Sequence, residues 1–139
     1  MLPDLRQADN YDCGDTIFRV VCQYHGWTPS AEHLSTPIDG TDPRTLEAAF
    51  HKLGRFVRSG TFDLDDLKHF TSKNQPVICL VQYDGTGHYV AVYKVNTKTV
   101  HPHCPIRGLI KCPRSQFILS WHDVDRLSYR FHQWGIVPW

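Results

Sequence analysis

Two side chains with complementary chemistry stand out in the 139-residue sequence: Cys13, at the head of an apolar-periodic segment, and His88, at the head of a strongly apolar run. Unpaired backbone N–H groups and the helix dipole at a helix start favour a thiolate over a thiol. A cysteine placed there and helped by a cation can titrate at ~3.5–7.5 rather than ~8.5. Gly14 leaves room beside the sulfur for a substrate backbone, whereas Asp12 and Asp15 disfavour a second negative charge. Position alone also suits a buried core cysteine, the role expected of Cys22 and Cys79. His88 follows Gly85 and Gly87 at a strand edge, from which a ring can reach across a cleft. It is one of nine histidines, so the signal lies in the combination. A cysteine at an early helix start and a histidine at a later strand start form a nucleophile and base that meet in space rather than in sequence. His25 and His51 fall on predicted helices with no reason to approach Cys13.

A second cluster, His101, His103, Cys104 and Cys112, gathers four soft or borderline metal ligands in one short stretch. That is the inventory of a structural zinc site without a recognised zinc spacing. The steps Cys104-Pro105 and Cys112-Pro113 serve equally as turn markers, and a Cys104 to Cys112 disulfide is a lesser alternative. The expectation is that no cofactor is bound.

The elements that must position these residues are legible from periodicity. Ile17, Val20, Val21 and Tyr24 recur at helical spacing, which predicts a helix over 12–26 with Asp12 as N-cap and Gly26 as its stop. Asp42-Pro43 opens a second helix whose buried face is Leu46, Ala49, Phe50 and Leu53, ended by Gly54. Shorter helices are expected over Ala31 to Leu34 and Leu64 to Phe70. Strand signals begin at Phe56-Val57 and strengthen at Val77 to Val81, which reads as a buried strand. Turns at Asp84 to Gly87 and Asn96 to Lys98 link that run to His88 to Val95 and then to Thr99-Val100, an antiparallel meander. A helix over Pro113 to Trp121 would turn Phe117, Ile118 and Trp121 inward, and Leu127, Tyr129 and Phe131 alternate as a last strand. Helices first and sheet second predict an α+β fold.

Composition bounds the function. With 41% hydrophobic residues and 12% aromatics the chain suits one domain over 1–139. A formal net charge of +1, with signs mixed along the chain, argues against nucleic acid as a partner. No apolar stretch approaches the ~20 residues of a membrane span. Asp4, Arg6, Asp9, Asp12 and Asp15 break any secretory signal, so a soluble, cytoplasmic protein is expected. Five cysteines at irregular spacing leave at least one free thiol.

Read together, these segments resemble the double-glycine-leader cysteine peptidases, the papain-like domains that process bacteriocin precursors. The matching residues are Gln7, Asp12-Cys13-Gly14, Tyr24-His25-Gly26, Asp39-Gly40-Thr41 with Leu46, and Leu53-Gly54. They continue through Asp65 to Leu67, Pro76-Val77-Ile78, Gly87-His88-Tyr89-Val90-Ala91-Val92, Pro102, Gly108 and Phe117 to Trp121. The resemblance implies a papain-like α+β fold, N-terminal helices packed on a C-terminal antiparallel sheet. It implies Cys13 as nucleophile, His88 as general base and then acid, and Gln7 as oxyanion donor beside the Cys13 backbone N–H. The family's third catalytic residue is an aspartate before a proline; the resemblance puts His101-Pro102 there, and His101 is expected to face and orient His88. Asp15-Thr16 stands where the family has Pro-Ala. The implied activity is cleavage of a peptide or protein substrate such as a double-glycine leader, with any transporter a separate chain. The alternative is a papain-like groove that binds an extended peptide without cutting it.

Overall fold

The computed structural model describes residues 13–28, 43–83, 86–105, 107–124 and 130–139. Helix α1 (Cys13–His25) and helix α2 (Pro43–Lys52) each end beside a glycine in the left-handed region, Gly26 at φ 75° and Gly54 at φ 80°, where a Cβ would be strained. Strand β1 (Val57–Thr61) leads to helix α3 (Leu64–Ser72). Its start is fixed by a capping box in which Asp63 accepts from the Asp66 N–H and Asp66 accepts from the Asp63 N–H. The expected helix at 31–34 lies outside the described residues.

The meander follows as β2 (Val77–Tyr83), β3 (Thr86–Val95) and β4 (Thr99–Cys104), all antiparallel. Asn96 makes the second turn: its side-chain oxygen accepts from the Lys98 and Thr99 N–H groups and from the Thr99 hydroxyl. Two short strands, β5 (Gly108–Leu109) and β6 (Cys112–Pro113), pair with β4. Helix α4 (Arg114–Ser120) comes next, then β7 (His122–Val124), β8 (Arg130–His132) and β9 (Trp134–Pro138). The main sheet runs β1-β9-β2-β3-β4-β5, so the last strand is inserted between the edge strand β1 and β2.

Helices cover both faces of this sheet, which explains why β2 reads as an unbroken apolar run rather than an alternating one. Ile78, Leu80, Tyr89, Ala91 and Ile136 join Ile17, Phe18, Val20, Val21, Leu46 and Phe50 of α1 and α2 in one core. Val77, Cys79, Val81, Val90, Val92 and Val100 face the other way, onto Leu67 and Phe70 of α3, Phe117 of α4, and Trp121. Successive strand residues therefore serve different layers.

Two expectations are corrected. Ile118 is 40% exposed, because Phe117 and Trp121, four residues apart, already fill the inward side. The final strand of the main sheet is β9, which sequence reading passed over; of the expected alternation Leu127, Tyr129 and Phe131, the first two lie outside the described residues and Phe131 falls in β8. β9 passes close to its neighbours through Gly135, where an added Cβ would sit 2.7 Å from Phe62 Cδ2 and 3.1 Å from Val77 Cγ1. Gly135→Ala should therefore cost about 1–3 kcal/mol through overpacking. Urea unfolding reads this directly, and an unchanged midpoint would show that Phe62 yields freely.

Candidate functional site

His88 stands third in β3, set opposite Val81 of β2, and is 7% exposed. Its strand neighbours Tyr89 and Ala91 belong to the α1 layer, so alternation turns His88 to the opposite face with Val90. There it lines an open cavity of about 200 Å³, walled by Val81, Val90, Pro102, Cys104, Phe117 and, at a polar margin, Arg107. An imidazole in such a place has apolar walls that exclude water and an opening through which a substrate can enter.

Cys13 opens α1, as expected, with Asp15 in the first turn. Asp15 is engaged: its carboxylate accepts from Arg19 Nε at 3.0 Å, one turn on. That ion pair draws the carboxylate's charge away from the helix start, which relieves the like-charge penalty read from the sequence. The side chain of Cys13 and the whole of Gln7 lie outside the described residues.

His101 is not brought to His88. It pairs with Lys94, six residues along β3 from His88 and hence about 20 Å away at ~3.3 Å per residue. Its Nε2 lies 3.1 Å from the Thr99 hydroxyl and its ring meets Tyr93 edge-on, on the face opposite the His88 cavity. Of the His101-Pro102 step only Pro102 lines the His88 cavity, whereas Cys104 of the Cys104-Pro105 step lines it with its own side chain.

The same alternation separates the second cluster. His101 and His103 share one face of β4, while Val100, Pro102 and Cys104 take the other. Among the described residues no three His, Cys, Asp or Glu side chains are grouped to hold a metal ion. Cys112 pairs with Val100, four residues before Cys104, and both thiols are free. That offset along the strand puts the two Cα atoms beyond the ~7 Å limit of a disulfide.

Burial favours the protonated form of three thiols, those of Cys22, Cys79 and Cys112. It pushes the Cys22 thiol up to about 12 and those of Cys79 and Cys112 upward as well. Iodoacetamide at pH 8 should accordingly leave Cys22 and Cys79 unmodified in the native protein. Their modification at a rate matching that of the unfolded chain would contradict the packing.

Desolvation first, and then nearby cations, also lower the His25 and His101 pKa values, through Arg55 for the former and Lys94 and Lys111 for the latter. His25 stacks on Trp27 at 4.2 Å, with the Arg55 guanidinium 4.5 Å from the same ring. A depressed histidine stays neutral in the folded chain when the unfolded chain would already protonate. The stability it contributes is complete above ~6.5 and is lost as pH falls from there toward the folded pKa. Melting temperature should thus decline below pH 6.5, and less steeply in His25→Gln; equal slopes would remove His25 from the cause.

Residues 2–125 match the Peptidase C39 family. The Lactococcin-G-processing and transport ATP-binding protein LagD of Lactococcus lactis subsp. lactis is 26% identical over 125 residues, 85% of this chain. The chain spans only 17% of the length of that relative. Two solved structures share the fold. The peptidase domain of Streptococcus ComA, a bi-functional ABC transporter, superposes with a TM-score of 0.79 at 19% identity, over 99% of this chain and 98% of that one. A double glycine motif protease from an AMS/PCAT transporter, solved with its leader peptide, gives 0.77 at 19% identity, over 99% and 91%. The cavity at His88 is thus set in an α+β peptidase fold, and the chain belongs to the Peptidase C39 family.

Proposed function

We propose that the chain is a cysteine peptidase in which Cys13 and His88 form the reacting pair and Gln7 helps to hold the oxyanion. The observation that carries this reading is a buried histidine lining an open cavity in a chain of a peptidase family. The Cys13 thiolate adds to the scissile carbonyl carbon, and the oxygen takes the charge beside the Gln7 amide and the Cys13 backbone N–H. Protonated His88 gives its proton to the leaving amine, leaving an acyl-thioester. Neutral His88 then takes a proton from water, whose oxygen displaces the thiolate and frees the new carboxyl end. α1 packs on the Tyr89 face of β3, so this reading requires the thiol to approach the imidazole around the end of the strand, from the first turn of the helix.

A double-glycine leader is the foremost substrate, by analogy with the relatives' processing role and the leader-bound protease. The partner is a peptide precursor, and a transporter of the kind the relatives' peptidase domains belong to completes the reading. Among the described residues no helix is long and apolar enough to cross a membrane. One observation favours a second reading, a groove that binds without cutting: the described residues around the cavity include no carboxylate to stabilise an imidazolium. A thiol-reactive acyl probe decides between the two. Labelling of the wild type at neutral pH that disappears in Cys13→Ala supports the peptidase, and labelling that survives overturns it. Gln7→Ala should keep the fold and lower turnover by about 10²-fold, the usual effect of losing one oxyanion donor.

A further inference from the structure

We propose that Cys104 is the positioning residue for His88, a thiol doing from β4 what the sequence had assigned to His101. The inference rests on the proposed Cys13-His88 pair. The β3-β4 register sets Ala91 against His103 and Val92 against Pro102, and one further step sets Val90 against Cys104. His88 lies two residues beyond Val90 on the same face, so it is the diagonal neighbour of Cys104, with Cβ atoms about 7 Å apart. Both side chains are buried, His88 at 7% and Cys104 at 4% exposure, and both line the one cavity. An imidazole extends far enough from its Cβ to bring one ring nitrogen to a thiol at that distance.

Among the described residues, the ionisable groups that line the cavity with His88 are Cys104 from β4, Arg107 from the β4-β5 turn and Cys112 from β6. α4 presents Gln116, Phe117 and Ser120 to it, and β2 presents Val81 and Gln82, all uncharged. Among the described residues of this lining there is no carboxylate, and Arg107 opposes an imidazolium. Cys104 can still hold the ring. A thiol accepts weakly from an imidazole N–H and so selects the tautomer whose other nitrogen carries the lone pair that takes a proton. The site is thereby oriented but not electrostatically primed, and its Cys-His ion pair forms less readily than one backed by a carboxylate.

The test is imidazole NMR on isotopically labelled protein, with the His88 signals assigned by their loss in His88→Gln. In Cys104→Asp the His88 pKa should rise by a unit or more, because an adjacent carboxylate favours the charged ring. The other histidines should not move. The upper limb of the pH profile for Cys13 alkylation should rise with it. Cys104→Asn, with a carbonyl acceptor of no charge, should hold the wild-type tautomer more firmly, and Cys104→Ala should shift the tautomer ratio away from that of the wild type. An Asp variant that melts like the wild type yet leaves His88 titration in place overturns the proposal. If the Asp variant fails to fold, identical tautomer ratios in the Asn and Ala variants overturn it. The readout is independent of cleavage. A His88 that responds to position 104 while Cys13→Ala retains activity would refute the proposed reaction and leave the positioning contact standing.

Discussion

Peptide cleavage should fall by the same large factor, on the order of 10⁴ to 10⁶, in Cys13→Ala, in His88→Ala and in the double variant. A nucleophile and its proton shuttle act as one unit: without the thiol there is no acyl-enzyme, and without the imidazole the thiol is mostly protonated and the leaving amine departs unprotonated. Loss of either removes nearly all that the pair supplies, so the effects do not add. What remains comes from binding and the oxyanion donors. Both single variants should melt near the wild type, since Cys13 stands at a helix start and His88 beside an open cavity. The measurement is single-turnover cleavage of a leader-containing peptide, followed by mass spectrometry. A double variant slower than either single one by the product of their effects would show two independent contributions and break the pair apart.

The register also shows how much of this site was legible beforehand. Helices α1, α2 and α3 follow from apolar spacing together with capping residues and terminal glycines, because each is fixed by local interactions. The meander follows for the same reason: Asn96 binds its own turn. The partner of His88 is a non-local fact, yet the turn encodes it. Reflecting His88 through the Asn96 to Lys98 turn lands at position 106, which makes Cys104 its diagonal neighbour and leaves His101 well away. The resemblance put His101-Pro102 at that place without a count of strand positions, and His101 lies about 20 Å from His88 along β3. The irregularity between Val92 and Lys94 shifts that count by one residue and is invisible in the sequence.

β9 was illegible for a different reason. Trp134 to Pro138 holds a glycine and a proline in five residues, which are strand-breaking signals when taken locally. Both are accommodated by tertiary context. Gly135 is required by the approach of Phe62, and Pro138 lies at the end of the strand, opposite Val57. Only the unfilled slot between β1 and β2 explains why the chain returns there, and that slot is a property of the sheet rather than of the segment.

Trp121→Ala should produce the largest loss of stability, about 3–5 kcal/mol by urea unfolding. Trp121 is fully buried at 0% exposure and packs on Phe117 with ring centroids 5.4 Å apart. Its Nε1 donates to the Trp134 carbonyl at 3.0 Å, and its backbone carbonyl accepts from the Gln133 N–H at 2.9 Å. The side chain thereby joins the end of α4 to the start of β9, two elements that sequence order keeps apart. Truncation would leave a cavity and remove the indole hydrogen bond together, a large share of the ~5–15 kcal/mol that holds a domain folded. Trp121→Phe keeps most of the volume and loses only the hydrogen bond, so about 1 kcal/mol is expected. Because α4 walls the His88 cavity through Phe117, the Phe variant should also retain the wild-type His88 titration. A Phe variant as unstable as the Ala variant would shift the weight from packing to the indole N–H. An Ala variant within 1 kcal/mol of the wild type would mean that α4 is held by other contacts, and that the cavity wall does not depend on this tryptophan.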